Sequence, residues 1–346
     1  MVSRRDAFKL VGGAAAATTL VGLSSTANAS DKKYRFRAQT HMSESSPQGK
    51  MYGDWAELCE TLSGGRLKID LHFSSAIVKD FETFSAAATG ILDIDMTGAS
   101  YQTGKEPAFQ FIGDVMGGYE NPMQLHAWLN YGGGREVVDE IYADHGMYLI
   151  GLFCPGVESL SSTKPLDGIA SLKDWKFRSP PGMESEIFAK LGAAPVVMPF
   201  GEVFTAMTTG VVDGCDAGTV TLNKNLGVYD VATNFTYPGF HSMPADHVAI
   251  NLKKWNALPD DLKEVMQVAQ TAIASKLYQE IDTEDHKIVT ELEAKGIKAS
   301  NWSKEDRMKF RETAQEVWKD WSKRSELCKK IYDSHISFMT NLGLLT

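Results

Sequence analysis

One rhythm occurs twice along the chain and constrains its fold more than any composition figure. From Tyr34 the residues YRFRAQT alternate as a β-strand does. After a polar loop, HMSESSPQG, the stretch KMYGDWAELCETLSGG carries apolar residues at helical spacing and stops at Gly64 and Gly65. RLKIDLHF alternates again, DFETFSAAATG reads as a helix closed by Gly90, and ILDIDMTGA reads as a buried strand. The rhythm returns after MYLIGLF, residues 147–153. There DWKFRSP reads as a strand, ESEIFAKLGA as a helix, APVVMPF as a strand, FTAMTTG as a short helix and VVDGCDAG as a strand edge. Strands alternating with helices make an α/β fold. Two units of similar length predict two lobes. The segment Leu258 to Lys295, opened by LPDD, reads as mostly helical, and SKEDRMKFRETAQEVWKDW, from Ser303, is another amphipathic helix with a capping-box-like start.

The N-terminus stands outside this rhythm. SRRDAFK is followed by an apolar stretch to Leu23 and then by Ala27, Asn28 and Ala29 before Ser30. A basic start, an apolar middle and a small-x-small end form a secretory signal, residues 1–29. Arg4 and Arg5, with Phe8 and Lys9 behind them, resemble the twin-arginine type, although Ala7 departs from the usual aromatic. The run is too short and too rich in Ala and Gly to span a bilayer, which needs about 20 residues. No later segment is apolar enough to do so, which predicts a periplasmic protein that is not embedded in the membrane. The whole chain carries a formal charge of −9. Removing the signal makes it more acidic, at about −11, which argues against nucleic acid and anionic lipid as partners. Cys59, Cys154, Cys215 and Cys328 are far apart and have no zinc-type or CxxC spacing; disulfides and buried thiols both fit them.

Catalytic motifs are missing from the sequence. It has no GxSxG, HExxH or phosphate-loop GK[ST], and YGGGRE from Tyr131 reads as a turn before a helix. Binding candidates remain. Arg178 ends DWKFR and is followed by Ser179, Pro180, Pro181 and Gly182. Proline fixes φ and drives the residue before it into an extended conformation, so the chain stiffens just after the arginine. On residues alone, Arg178 is either a carboxylate anchor, offering a planar fork of donors, or a surface cation stacked on a ring. Glu158 and Asp216 lie in loops after probable strands, where α/β sheets collect ligands. Asp213 reads as a strand-end turn residue, and His247 as a surface or core residue. The tryptophans fall in apolar patterns and read as core. Tyr101, in the polar run YQTGKEP, reads as a cleft residue or a loop cap.

Taken together, DWKFRSPPGMESEIFAKLGAAPVVMPFGEVFTAMTTGVVDGCDAG, then His241, Pro244, Asn251, Trp255, Leu258 and Pro259, resemble the substrate-binding proteins of TRAP transporters, the DctP type. The resemblance covers nearly the whole mature chain. MTGASYQTGKEP and Tyr237 to Gly239 look nearest to the branch that binds 2-oxo acids and lactate. It implies a two-lobed periplasmic binding protein fold, with the ligand cleft between the lobes and long connecting helices. Lobe I would comprise residues 30–155 and 245–285, and lobe II residues 156–244 and 286–346. It also implies partnership with a small and a large membrane subunit in sodium-coupled uptake, and no catalysis.

By the same resemblance, Arg178 matches the family's carboxylate anchor. A cation, Ca²⁺ or Na⁺, bridges ligand and protein in that branch, and its ligands fall by position on Glu158 and Asp216. The branch's aromatic beside the second carboxylate is Ala217 here, and its later acidic residue has no match among Phe240, His241 and Ser242. His41, Tyr101 and His241 are further candidates for contact with the ligand. Two ionised carboxylates and a bound monocarboxylate against one guanidinium leave two negative charges uncompensated, which burial penalises heavily. A hard divalent cation would neutralise them. A ligand ammonium would do the same, making the substrate an amino acid or amino sulfonate. A third possibility places Glu158 on the surface. The expected function is therefore capture of a small 2-oxo or 2-hydroxy monocarboxylate such as pyruvate or lactate, with no organic cofactor. The alternatives are a zwitterion-binding protein and a Tat-exported enzyme.

Overall fold

The computed structural model describes residues 32–345. The twin-arginine start and the small-x-small end of the signal lie outside the described residues. Eleven strands run in chain order: β1 Tyr34–Thr40, β2 Leu67–His72, β3 Ile94–Met96, β4 Met147–Phe153, β5 Ser161–Ser162, β6 Lys176–Ser179, β7 Ala194–Val197, β8 Gly214–Cys215, β9 Asn234–Thr236, β10 Asp246–Asn251 and β11 Lys298–Ser300. They form two sheets, of order β2-β1-β3-β10-β4 and β11-β9-β5-β8-β6-β7. In the first, β1 pairs in parallel with β2 and β3, and β10 runs antiparallel to β3 and β4. In the second, β6 pairs in parallel with β7 and β8, and β5 is antiparallel to β8 and β9. The fold is α/β with mixed sheets, as the alternating rhythm predicts.

Both faces of the sheets are covered, which is why β4 reads as a continuous apolar run. Met147, Leu149 and Leu152 of β4 join one apolar cluster, with Trp128, Phe177, Phe188 and Trp318. Ile150 and Phe153 join the other, with Trp55, Phe235 and Trp255. The side-chain alternation reverses around Gly151, where the pairing register shifts between Val248 and Ala249. A side chain at Gly151 would meet the Gln270 amide, whose nitrogen bonds the Leu152 carbonyl.

The sequence's start and stop signals hold. Ser46 caps the helix Pro47–Leu62 by accepting from Gly49 N, and Ser303 caps Lys304–Trp321 by accepting from Asp306 N. Gly90 ends Thr83–Thr89 in the left-handed region that glycine favours. The helix Asp260–Ala294 has 35 residues and is therefore about 50 Å long. It packs on β4 at one end and on β11 at the other, touching both sheets. The four cysteines are buried free thiols. Among the described residues no helix is long and apolar enough to cross a membrane.

Candidate functional site

Strand alternation aims Arg178. Phe177 turns to the core, stacked on Trp175 at 4.5 Å, so Arg178 turns to the opposite face. The strand is central, paired with Val196 on one side and Cys215 on the other, which fixes the arginine's backbone. Arg178 is only 3% exposed. Nε donates to the Met198 carbonyl at 3.1 Å and Nη1 to the Asp216 carbonyl at 2.6 Å. A guanidinium has five N–H donors, so three remain for the cavity that it lines. Tyr101 lines the same cavity. The buried setting rules out the surface-stacking reading.

The two prolines also line this cavity and lead into the helix Met183–Lys190. Between them and the helix stands Gly182, at φ +126°, where L side chains are strained. A Cβ there would sit 1.9 Å from Gln110 Oε1. That oxygen accepts from Met183 N at 2.9 Å, while Gln110 Nε2 donates to the Asp114 carbonyl. The SPPG segment is therefore clamped from the opposite element as well as stiffened from within.

Glu158 is 5% exposed and lines the cavity, which removes the surface alternative. Its loop follows β4 and is pinned by Glu158 N donating to the Ser242 carbonyl at 2.9 Å. Asp216 follows β8, and its N–H donates to the Arg178 carbonyl. His241 Nε2 pairs with Asp216 Oδ1 at 3.1 Å, both side chains being fully buried. One atom each from Glu158, Asp216 and His241 lie within 4.8 Å of one another. Burial pushes Asp216 up, but the adjacent His241 and hydrogen bonds outweigh it and hold the carboxyl down at about 2. Burial, then the Asp216 charge, push Glu158 well above the usual carboxylate range.

Of the six residues singled out in the sequence, His41, Tyr101, Glu158 and Arg178 line the cavity wall. Asp216 and His241 are fully buried and not among its lining residues. His241 packs its ring against Phe188, Phe240 and Phe310, and so orients Asp216 rather than facing the cavity. The His41 ring sits against Tyr101 and Phe200, with Nε2 3.9 Å from Asp246.

Three acidic residues were not singled out from sequence. Asp246 accepts from the Tyr52 hydroxyl at 2.6 Å. Asp114 accepts from Ser242 Oγ at 2.6 Å, yet burial raises it to about 7. Glu184 is 3% exposed, lines the cavity and lies against Asp216. A signal for Glu184 existed: it shares a helix face with Ile187 and Phe188, three and four residues on, whereas Glu186 points away to Trp321 and Arg324.

The donor set fits a hard cation. Asp216 Oδ2, Glu184 Oε1 and His241 Nδ1 are buried without any hydrogen-bond partner. Ionised carboxylates facing one another have no proton to share, and a cation with oxygen preference satisfies them as a shared proton would. The cavity measures about 70 Å³.

Comparison with known proteins gives this arrangement a family. The monocarboxylate 2-oxoacid-binding periplasmic protein of a Nostoc strain is 25% identical over 343 residues, covering 97% of this chain and 94% of its own. A TRAP periplasmic solute-binding protein from Rhodobacter sphaeroides, in an apo open structure, is 33% identical with a TM-score of 0.74, covering 90% of this chain and 99% of its own. Another, from Colwellia psychrerythraea with bound calcium and pyruvate, is 23% identical with a TM-score of 0.81 over 90% of this chain and 96% of its own. A family model matches residues 38–324. The chain belongs to the bacterial extracellular solute-binding proteins, family 7, the DctP family of TRAP binding proteins.

Proposed function

We propose that this chain, exported to the periplasm, captures a small 2-oxo or 2-hydroxy monocarboxylate and passes it to the small and large membrane subunits of a TRAP transporter. The observation that carries the reading is the buried Arg178 fork, held by two backbone carbonyls with donors to spare, beside a cavity whose wall also carries the unpartnered Glu184 Oε1. The fork grips one carboxylate by two charge-assisted bonds. A water needs about 10–15 Å³ of such space, so a cavity of about 70 Å³ takes on the order of six small groups, the size of pyruvate or lactate rather than a sugar acid. The Nostoc and Colwellia relatives, whose names specify 2-oxoacids and pyruvate with calcium, support the same class.

Glu158 and Asp216 would hold the bridging cation, which supplies positive charge to the acid's second oxygen and neutralises the carboxylates. Arg178, Tyr101 and His41 do the orienting. Residues 30–155 with 245–285 and 156–244 with 286–346 act as the two lobes. The action is capture and release without turnover, since ligand contacts that exist only when the cleft is shut shift the molecule toward closure.

Calorimetric titration with pyruvate, lactate, alanine and taurine tests this, in calcium and again after exhaustive chelation. The expected result is binding of the first two, weakened by chelation. Preference for the zwitterions, or equal affinity for pyruvate with and without calcium, refutes the cation-bridged monocarboxylate.

A further inference from the structure

We infer that Phe200 sets the length of acid that the site accepts, by walling the ligand cavity off from a second cavity that would take a longer apolar tail; this rests on the reading above, in which Arg178 holds the carboxylate of a small monocarboxylate. The second cavity measures about 220 Å³, against about 70 Å³ for the first. His41, Met42, Phe200 and Leu222 line both, so these four side chains are the wall between them. His41 stands just past the carboxyl end of β1 in one sheet, and Phe200 three residues past the end of β7 in the other. Their rings meet edge to face, with centroids 5.4 Å apart.

The wall is positioned by the anchor itself. Arg178 Nε donates to the Met198 carbonyl at 3.1 Å, and Pro199, its φ fixed by the ring, leads straight into Phe200. The group that grips the carboxylate thus braces the segment that carries the wall, which fixes the length between them. On the other side, Met42 N donates to Thr40 Oγ1 and the Met42 carbonyl accepts from Ser74 N, which holds the loop that carries His41. The His41 ring has no such tie: Nδ1 is buried without a partner and Nε2 stands 3.9 Å from Asp246, so packing against Tyr101 and Phe200 places it. Removing the Phe200 ring therefore loosens His41 as well and joins the two cavities. Arg178, Glu158 and Glu184 line the first cavity and not the second. Among the described residues no lysine or arginine lines the second, whereas Asp80 does. A second carboxylate would meet the Asp80 carboxyl there without a counter-charge, so the tail that fits is uncharged.

The test compares chain lengths within each protein. Pyruvate, 2-oxopentanoate, 2-oxohexanoate and 2-oxoglutarate are titrated calorimetrically, in calcium throughout, into wild type, Phe200→Ala and Phe200→Leu. In wild type, affinity is expected to fall as methylenes are added. In Phe200→Ala the order should reverse, with a gain over pyruvate of roughly fourfold for each methylene buried. 2-Oxoglutarate has the five carbons of 2-oxopentanoate but ends in a carboxylate, and should gain nothing. Phe200→Leu should lie between the two proteins, and it carries the comparison should the alanine variant not fold. A substitution that only loosens the fold weakens every acid by the same factor, so the ratio of 2-oxohexanoate to pyruvate affinity separates a length limit from a structural role. A ratio in the variant within about twofold of wild type overturns the inference. So does a wild type that binds 2-oxohexanoate as tightly as pyruvate, or a variant in which 2-oxoglutarate gains as much as 2-oxopentanoate. Each of these leaves pyruvate capture standing and refutes only the role of Phe200. Failure of every acid to bind either protein refutes the substrate reading and this inference with it.

Discussion

Arg178→Lys keeps the positive charge and removes the fork, so it isolates what the geometry contributes. In the native site two guanidinium donors hold the Met198 and Asp216 carbonyls, which leaves three. Lysine has three donors on one nitrogen and no planar pair. If that nitrogen replaces the bonds to the two buried carbonyls, one donor remains for a ligand that had two; if it turns to the ligand, a carbonyl is orphaned. Either way one to two charge-assisted bonds are lost, at about 1.5–3 kcal/mol each. A loss of about 2–4 kcal/mol raises the dissociation constant for pyruvate roughly 30- to 700-fold. Calorimetry in saturating calcium at fixed ionic strength reads this directly, with the unfolding temperature of the apo proteins as the control for folding. A dissociation constant within about threefold of wild type refutes the anchor, because an intact charge without a fork would then suffice.

Gly182→Ala should destabilise the protein by about 2–4 kcal/mol in urea unfolding, since its Cβ would lie 1.9 Å from Gln110 Oε1 at a φ of +126°. Adding Gln110→Ala should relieve the clash but not the backbone strain. His247 is fully buried between Asp95 and the Tyr142 hydroxyl, at 2.7 Å from each, so His247→Phe should cost about 3–5 kcal/mol by stranding the Asp95 charge while leaving ligand affinity unchanged. Asp285, 8% exposed, accepts from Thr221 N, and burial raises it from 3.8 to about 6. The folded state therefore binds its proton more tightly than the unfolded one, and stability falls as pH rises from about 4 to about 6. The group accounts for about 3 kcal/mol across that window, and Asp285→Asn should abolish that part of the pH dependence in urea titrations.

The strand and helix rhythm was legible because burial on a sheet face and on a helix stripe writes periods of two and 3.6 into the sequence. Arg178 was legible as one of two things, and burial removes the surface-stacking one. The three missed carboxylates have a common reason. Asp114, Glu184 and Asp246 sit in apolar surroundings chosen by tertiary packing, and an acidic residue on a core face looks, in one dimension, like one on the surface. Glu184 shows where the limit lies: its spacing to Ile187 and Phe188 marks its face, but that the face meets a cavity shared with Arg178 depends on β6 and the Gln110 clamp meeting in space. The proline pair is the converse case. Its stiffness is written in the residues, and the structure adds that a glutamine from another element needs the glycine that follows. Arg178 and Glu184 thus sit at the two ends of one braced segment, before the prolines and just after them, so one piece of backbone sets the distance between a guanidinium and a carboxyl of the same cavity wall.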